Sequence, residues 1–386
     1  MRNLGWTDVT NLVAIDLPLG PALIDEVAAT LHAGDALTIL DPRWGAETRA
    51  QALLALRPTV MVDASGRSRL PGGVAAEEGD ALVVLSSGSV ADPKAAVLTI
   101  DAVAASAQMT STALGIDPTR HRWLACLPPS HIGGLSVIVR SILTDTPLQS
   151  IDQPTTELLE TAARDGATHV SLVTRLLGRI DPSLFEVIVL GGAAPPAERP
   201  ANTVTTYGMT ETGSGVVYDG RPLAGVEIDV IEPDSDGVGE ILIASPTLLR
   251  AYRDRPAPLV IGPDAIPRWL ATGDLGRLGS TGLLEVRGRA GDVIVTGGEK
   301  VYPEDVEAVI MRLDAVAEVA VTRRTDPEWG ERVVAFIVPS GEAPTLDEVR
   351  GIVSEALGRF AAPREIELVD HLPRTAIGKL RRSALS

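Results

Sequence analysis

Ala81-Leu82-Val83-Val84-Leu85-Ser86-Ser87-Gly88-Ser89-Val90-Ala91-Asp92-Pro93-Lys94 is the stretch on which the reading of this chain turns. Five apolar residues in a row read as a short buried strand. The strand runs straight into hydroxyls, a glycine and a lysine, the parts needed to wrap a triphosphate in backbone amides with Lys94 as a nearby point charge. Taken alone, a serine- and glycine-rich turn after a strand is an ordinary turn. Its meaning depends on what surrounds it.

Working outward, apolar runs bounded by Gly and Pro recur at Phe185 to Leu190, Glu240 to Ala244 and Leu283 to Val286, each of strand length. Helical spacing appears between such runs at Pro21 to Ala33, Ala46 to Leu56, Ile100 to Leu114 and Thr155 to Asp165. The alternation predicts an α/β fold, with parallel sheets covered by helices. After Arg289 the style changes to a helix from Pro303 to Leu313, strands at Val316 to Arg323 and Val333 to Val338, and a helix from Thr345 to Leu357. That is the pattern of a small α+β domain. The glycine-rich join Gly288-Arg289-Ala290-Gly291-Asp292 can turn without steric penalty, so the expected domains are 1–290 and 291–386.

Composition narrows the function. The 386 residues are 45% hydrophobic and 22% charged, enough apolar material for two or three globular domains. Aromatic residues make up only 3%, so packing must rest on aliphatic side chains. With 34 Lys plus Arg against 51 Asp plus Glu, the net charge is -17, which argues against a nucleic-acid partner. Any nucleotide must therefore be held by local donors and a metal ion rather than by the overall field. One cysteine, Cys126, forbids an internal disulfide and favours a reducing, cytoplasmic setting, and the residue itself reads as a small core hydrophobe. The opening residues lack a basic segment followed by an apolar one, and no apolar run approaches a membrane span, so neither export nor insertion is expected.

Four further segments carry chemistry. Thr206-Tyr207-Gly208-Met209-Thr210-Glu211-Thr212 follows Leu190-Gly191-Gly192: an aromatic ring able to stack on a base, hydroxyls able to reach phosphate, and one carboxylate able to anchor Mg²⁺. Ala271-Thr272-Gly273-Asp274 presents a carboxylate at a tight turn, suited to ribose hydroxyls. Then come Gly288 to Pro303, containing Arg289, Gly291, Gly297 and Gly298, and lastly Pro373-Arg374-Thr375-Ala376-Ile377-Gly378-Lys379.

In this order and at these separations, from about residue 80 to the end, the five segments resemble the adenylate-forming superfamily of acyl-CoA synthetases, luciferases and peptide-synthetase adenylation domains. The resemblance implies a large N-terminal domain of packed mixed sheets and helices and a small mobile C-terminal one. It implies that Ser86, Ser87, Gly88, Ser89 and Lys94 hold the pyrophosphate end of ATP, and that Gly191, Gly192 and Tyr207 frame the adenine. Thr210 would contact phosphate and Glu211 the Mg²⁺; Asp274 and Arg289 would contact ribose. Lys379 would bridge the substrate carboxylate and the α-phosphate. Gly297 and Gly298 would line the pantetheine arm of coenzyme A, and Gly291 would be the hinge, where many relatives have aspartate. The chemistry is coherent: two anions must meet, so a cation and a metal must offset their repulsion, and no protein nucleophile is needed.

Within that superfamily, Leu127-Pro128-Pro129-Ser130-His131-Ile132-Gly133-Gly134-Leu135-Ser136-Val137-Ile138-Val139-Arg140-Ser141 and the short N-terminal part resemble the o-succinylbenzoyl-CoA synthetases of menaquinone biosynthesis. The likeness implies that His131 gates the acyl pocket and that Arg140 neutralises the second carboxylate of a dicarboxylic aromatic acid. The residues themselves also allow His131 to be a helix cap and Arg140 a surface charge. The phosphate loop departs from the superfamily, with Val90-Ala91 in place of threonine-glycine and Ala95 in place of glycine, which should stiffen it. Three other readings stand beside this one: a synthetase for another aromatic or medium-chain acid, an adenylation enzyme that loads a carrier protein, and a binding protein without turnover. A homodimer is expected from the prevalence of such assemblies alone.

Overall fold

The computed structural model describes residues 10–86, 94–192, 198–266, 268–374 and 380–385. The chain divides into two compact units, residues 1–228 with 243–270, and residues 229–242 with 271–386.

In the first unit, the strands β1 (Leu12–Ile15), β2 (Ala36–Ile39), β3 (Val60–Asp63), β4 (Gly66–Arg69), β5 (Asp80–Leu85) and β6 (Ala95–Thr99) form one sheet, in the order β6-β5-β2-β1-β3-β4. The short strand Ala251–Tyr252 is added beyond β6. A second sheet holds β7 (Trp123–Ala125), β8 (Leu148–Ser150), β9 (His169–Leu172), β10 (Val187–Leu190), β11 (Thr203–Met209), β12 (Ser214–Tyr218) and β13 (Arg221–Pro222), in the order β13-β12-β11-β10-β9-β7-β8. The middle of each sheet is parallel, as the strand–helix alternation requires, and so is the edge strand β8, but β6, β4, β12 and β13 all run antiparallel to their neighbours. The sheets are therefore mixed, the added edge strands being joined by connections too short for a crossover.

Side chains alternate across a strand, and in the central strands both faces are buried. Val13 and Ile15 of β1 point into a core shared with Trp123 and Ala125 of β7 and with three helices: α1 (Pro21–His32), α3 (Ile100–Ala113) and α4 (Ile132–Leu143). Leu12 and Ala14 face the other way, onto α2 (Ala46–Leu56). Leu124 and Cys126 face α5 (Thr156–Arg164). Helices thus cover both sheets on both sides. Burial pushes the Cys126 thiol up to about 12, in keeping with a core residue. The helix starts are chemically marked: Thr99 accepts from the Ala102 amide at 3.2 Å and Thr155 from that of Leu158 at 3.2 Å.

The second unit ends in the expected α+β arrangement. The antiparallel strands Val316–Asp326 and Gly330–Pro339 are joined by Glu365–Leu368, parallel to the latter, and by the hairpin Ile294–Thr296 with Glu299–Val301. Val333, Ala335 and Ile337 pack on the helices Pro303–Ile310 and Leu346–Leu357, while Val334 and Phe336, on the other face, are covered by Leu372 and Leu385. A capping box starts the last helix, with Thr345 Oγ1 accepting from Glu348 N at 3.3 Å and Glu348 accepting from Thr345 N at 2.7 Å.

Candidate active site

In the first unit the site grows from strand ends. At the end of β5, the Ser86 amide donates to the Lys94 carbonyl at 2.7 Å, closing the loop at its base. Ser87, Gly88 and Ser89, like Val90 and Ala91, lie outside the described residues; Ala95 is the first residue of β6, buried and paired with Leu85. β10 ends at Leu190, in register with Thr205 of β11, so that Gly191 follows directly beside Thr206. The approach is close: a β-carbon at Gly191 would stand 3.0 Å from Thr206 Oγ1, and one at Gly208 would meet the Ser214 carbonyl at 2.2 Å. Glycine is needed at Gly208 because β11 and β12 slip register there and press together.

Thr210, Glu211 and Thr212 form a single 3₁₀ turn after β11. The Met209 amide donates to Thr212 Oγ1 at 2.8 Å, and Thr212 donates to the Ser214 carbonyl at 2.7 Å, so the turn is fixed by its last residue and Glu211 is left to point elsewhere. Its Oε1 accepts from the Tyr252 hydroxyl at 2.9 Å, and the Lys94 ammonium sits over the same tyrosine ring, 5.8 Å from its centroid. Burial and the adjacent Glu211 charge push the Tyr252 hydroxyl above its ordinary value, keeping it a donor. Lys94 and Glu211, expected at the phosphates, therefore meet across one side chain that sequence reading passed over. The fit to Mg²⁺ is of a particular kind. No group of three or more His, Cys, Asp or Glu among the described residues is placed to hold a metal ion, so a metal here would take one carboxylate and find its other ligands on phosphate and water, the usual arrangement for Mg²⁺.

The residues expected on the acyl side, His131 and Arg140, lie at the start of α4 and within it. A β-carbon at Gly134 would lie 2.4 Å from the Pro128 carbonyl oxygen, so the helix can begin against this proline turn only with glycine there. The turn is held from below: Ser130 Oγ donates to Asp41 Oδ2 at 3.0 Å, and Arg43 pairs with the same carboxylate at 2.6 Å. Burial alone would raise Asp41, but the bonds from Arg43 and Ser130 hold it down at about 2. His131 occupies the N-cap position with extended backbone, yet its side chain makes no capping bond, which sets aside the cap reading.

Arg140 is not a surface charge. It is 4% exposed, its guanidinium lies 5.0 Å from the centroid of the Trp123 ring, and burial lowers its pKa. Arg140 Nε, Trp123 Nε1 and Ser141 Oγ are all buried with no hydrogen-bond partner among the described residues. Two of the three groups can only donate. His131 stands just before α4, and Arg140 lies nine residues on, in the third turn of that helix.

In the second unit, Asp274 and Arg289 face each other in antiparallel register, with Arg289 Nε 2.7 Å from Asp274 Oδ1. Asp274 is buried and its amide donates to Thr272 Oγ1 at 3.1 Å, while Thr272 donates to the Ile241 carbonyl at 2.8 Å. Gly291 lies in the 3₁₀ turn Ala290–Asp292, with open space where a β-carbon would go. Gly297 and Gly298, with φ of 59° and 89°, are the two-residue turn of a hairpin, a turn that asks for positive φ at both positions. Gly297 also lies under Trp329, whose ring a β-carbon would approach to 2.6 Å, and Arg364 stacks on that ring at 4.5 Å. Lys379 lies outside the described residues. The flanks of its segment are anchored: Arg374 bridges Leu380 and pairs with Glu318 at 2.6 Å, and Arg382 pairs with Glu304 at 2.8 Å and Glu307 at 3.0 Å.

Comparison with known proteins bears on the family and the fold. The AMP-binding enzyme family matches residues 71–253, and the AMP-binding enzyme C-terminal domain matches residues 305–379. The chain belongs to the AMP-binding enzymes, the class its fold and strand-end site define. Among named relatives, the "Probable 2-succinylbenzoate–CoA ligase" of Mycobacterium tuberculosis is 40% identical over 332 residues, 79% of this chain and 83% of that protein. The 2-succinylbenzoate–CoA ligase of Bacillus cereus is 31% identical, across 78% of this chain and 69% of that protein. Among solved structures, the o-succinylbenzoate CoA synthetase of Bacillus subtilis in complex with its acyl-adenylate intermediate matches with a TM-score of 0.84 at 26% identity, over 97% of this chain and 88% of that one. No helix among the described residues is long and apolar enough to cross a membrane.

Proposed function

We propose that this chain is an ATP-dependent acid–CoA ligase that adenylates o-succinylbenzoate, releases pyrophosphate and transfers the acyl group to coenzyme A. The observation that carries the reaction class is the meeting of Lys94 and Glu211 at Tyr252, where a cation and a lone carboxylate flank one point at the ends of two sheets. Lys94, with Ser86, Ser87, Gly88, Ser89 and Thr210, holds the phosphates; Gly191, Gly192 and Tyr207 frame the base, and Asp274 with Arg289 takes the ribose. Bound through Glu211, Mg²⁺ would neutralise phosphate charge. Lys379 brings the acid carboxylate against the α-phosphorus; the C–O–P bond forms as pyrophosphate leaves. The coenzyme A thiolate then displaces AMP from the acyl carbon, with its pantetheine arm along Gly297 and Gly298. Gly291 is the proposed hinge for the segment 291–386 between the two steps. The protein acts in the cytoplasm, as a homodimer.

The named relatives favour o-succinylbenzoate, and a local observation favours a dicarboxylic acid. Arg140 Nε, Trp123 Nε1 and Ser141 Oγ are buried with no hydrogen-bond partner among the described residues, an arrangement that is costly until an anion arrives. His131 stands at the N-cap position of α4. Pyrophosphate release with Mg·ATP across a panel of acids, with and without coenzyme A, tests the proposal. Turnover on o-succinylbenzoate that rises with coenzyme A is expected; turnover only on monocarboxylic acids refutes the choice of acid, and nucleotide binding without turnover refutes the reaction.

A further inference from the structure

Lys94 precedes β6 and Glu211 follows β11, so they belong to different sheets, yet one side chain touches both. That side chain is unusually well fixed. Tyr252 is buried on the strand added to β6, in register with Ala96. The residues around it are tied down on both sides. The Arg250 amide donates to the Val97 carbonyl at 2.9 Å and the Arg253 amide to that of Ala95 at 2.8 Å. The Arg250 guanidinium grips Asp80 with two bonds, at 2.8 and 3.0 Å, and reaches Glu77 at 2.9 Å. Arg253 donates to the carbonyls of Leu56 at 3.1 Å and Ala75 at 2.9 Å, and to that of Val74. The Leu249 amide donates to the Glu211 carbonyl at 2.8 Å, tying this segment directly to the 3₁₀ turn.

We infer that Tyr252 is a positioning residue for the nucleotide site: its ring carries the Lys94 ammonium and its hydroxyl aims the Glu211 carboxylate, so one rigid support sets both groups. The inference rests on the reading of Lys94 and Glu211 given above. It follows from what each half of the side chain can do. The ring face attracts a cation at this distance. The hydroxyl occupies Glu211 Oε1, and the other carboxylate oxygen takes no bond among the described residues, which leaves it for a ligand. An outer partner that orients a metal-binding carboxylate commonly matters about ten- to a hundredfold in metal affinity.

The two halves separate by mutation. Tyr252→Phe keeps the ring and removes the hydroxyl; Tyr252→Leu removes both. Calorimetric titration of the purified protein with ATP, in excess Mg²⁺ and again in EDTA, reads binding without turnover. Tyr252→Phe should bind Mg·ATP about tenfold more weakly than wild type, yet bind metal-free ATP within about twofold. Tyr252→Leu should weaken both forms, the metal-free one by about threefold or more. In a Glu211→Gln background, Tyr252→Phe should have no further effect. Wild-type-like binding by Tyr252→Phe, equal losses with and without metal, or an additive effect on Glu211→Gln would each overturn the inference while leaving the nucleotide site intact. If wild type itself binds ATP equally well in Mg²⁺ and EDTA, the reading beneath it fails as well.

Discussion

Replacing Arg140 with methionine should make the unliganded protein more stable and a worse enzyme for dicarboxylic acids. The guanidinium is buried, no carboxylate stands against it among the described residues, and its Nε has no acceptor. Methionine keeps the apolar stem against Trp123 while removing the charge. Exchange of buried ionic groups for apolar ones of similar volume is worth about 0–4 kcal/mol, and loss of the contact with the Trp123 ring takes back about 0.5–2 kcal/mol. A net gain of roughly 1–2 kcal/mol is expected, which for a unit of this size raises the melting temperature by about 2–8 °C. On the other side of the balance, an acid carboxylate that pairs with Arg140 loses about 2–5 kcal/mol when the partner is removed. That corresponds to a fall in kcat/KM of about thirtyfold or more, with a monocarboxylic analogue within a few-fold of wild type. Thermal unfolding of the free protein and pyrophosphate release on the two acids measure the two halves. A variant that melts lower and loses activity equally on both acids would show that Arg140 serves the core alone, and the argument from unmatched donors would be wrong.

Other outcomes follow from the same structure. Asp41 sits at about 2 against 3.8, so its contribution is present above pH 3.8 and lost as pH falls through 2; Asp41→Asn should cost roughly 2 kcal/mol at pH 7 in urea unfolding. Glu307 behaves oppositely: burial lifts it to about 7 despite Arg382, so its ionisation destabilises the fold as pH rises from 4.5 through 7. Glu307→Gln should match wild type near pH 5 and exceed it at pH 8 by on the order of 3 kcal/mol, measured as the difference between their unfolding curves. Gly134→Ala must push α4 off the Pro128 carbonyl, costing about 1–3 kcal/mol and lowering turnover, read by unfolding and steady-state kinetics. Native Cys126 should resist a thiol reagent that labels the unfolded chain at once.

The sequence announced the long elements well because their signals are local. Thr155 and Thr345 read as helix residues and prove to be the caps of those helices, a difference of one position. The short strands Trp123–Ala125 and Leu148–Ser150 gave no comparable signal, since three residues show no period. Edge direction was equally hidden: nothing within β6 or β12 says that it runs against its neighbour. At the site, motif order grouped the residues expected around the nucleotide, and the structure places Gly191 against Thr206 and pairs Asp274 with Arg289. Tyr252 escaped notice because its partners are remote in sequence, Glu211 being 41 residues away. The burial of Arg140 was not readable from the sequence, because it depends on α4 packing over Trp123 from another part of the chain.

The central claim meets its most direct test in mass spectrometry of a single reaction: purified protein, Mg·ATP and o-succinylbenzoate, sampled before and after coenzyme A is added. The account predicts the mass of the o-succinylbenzoyl-adenylate before the addition, then its conversion to the thioester with release of AMP. Absence of the adenylate for this acid, or an adenylate that coenzyme A leaves unchanged, would contradict it.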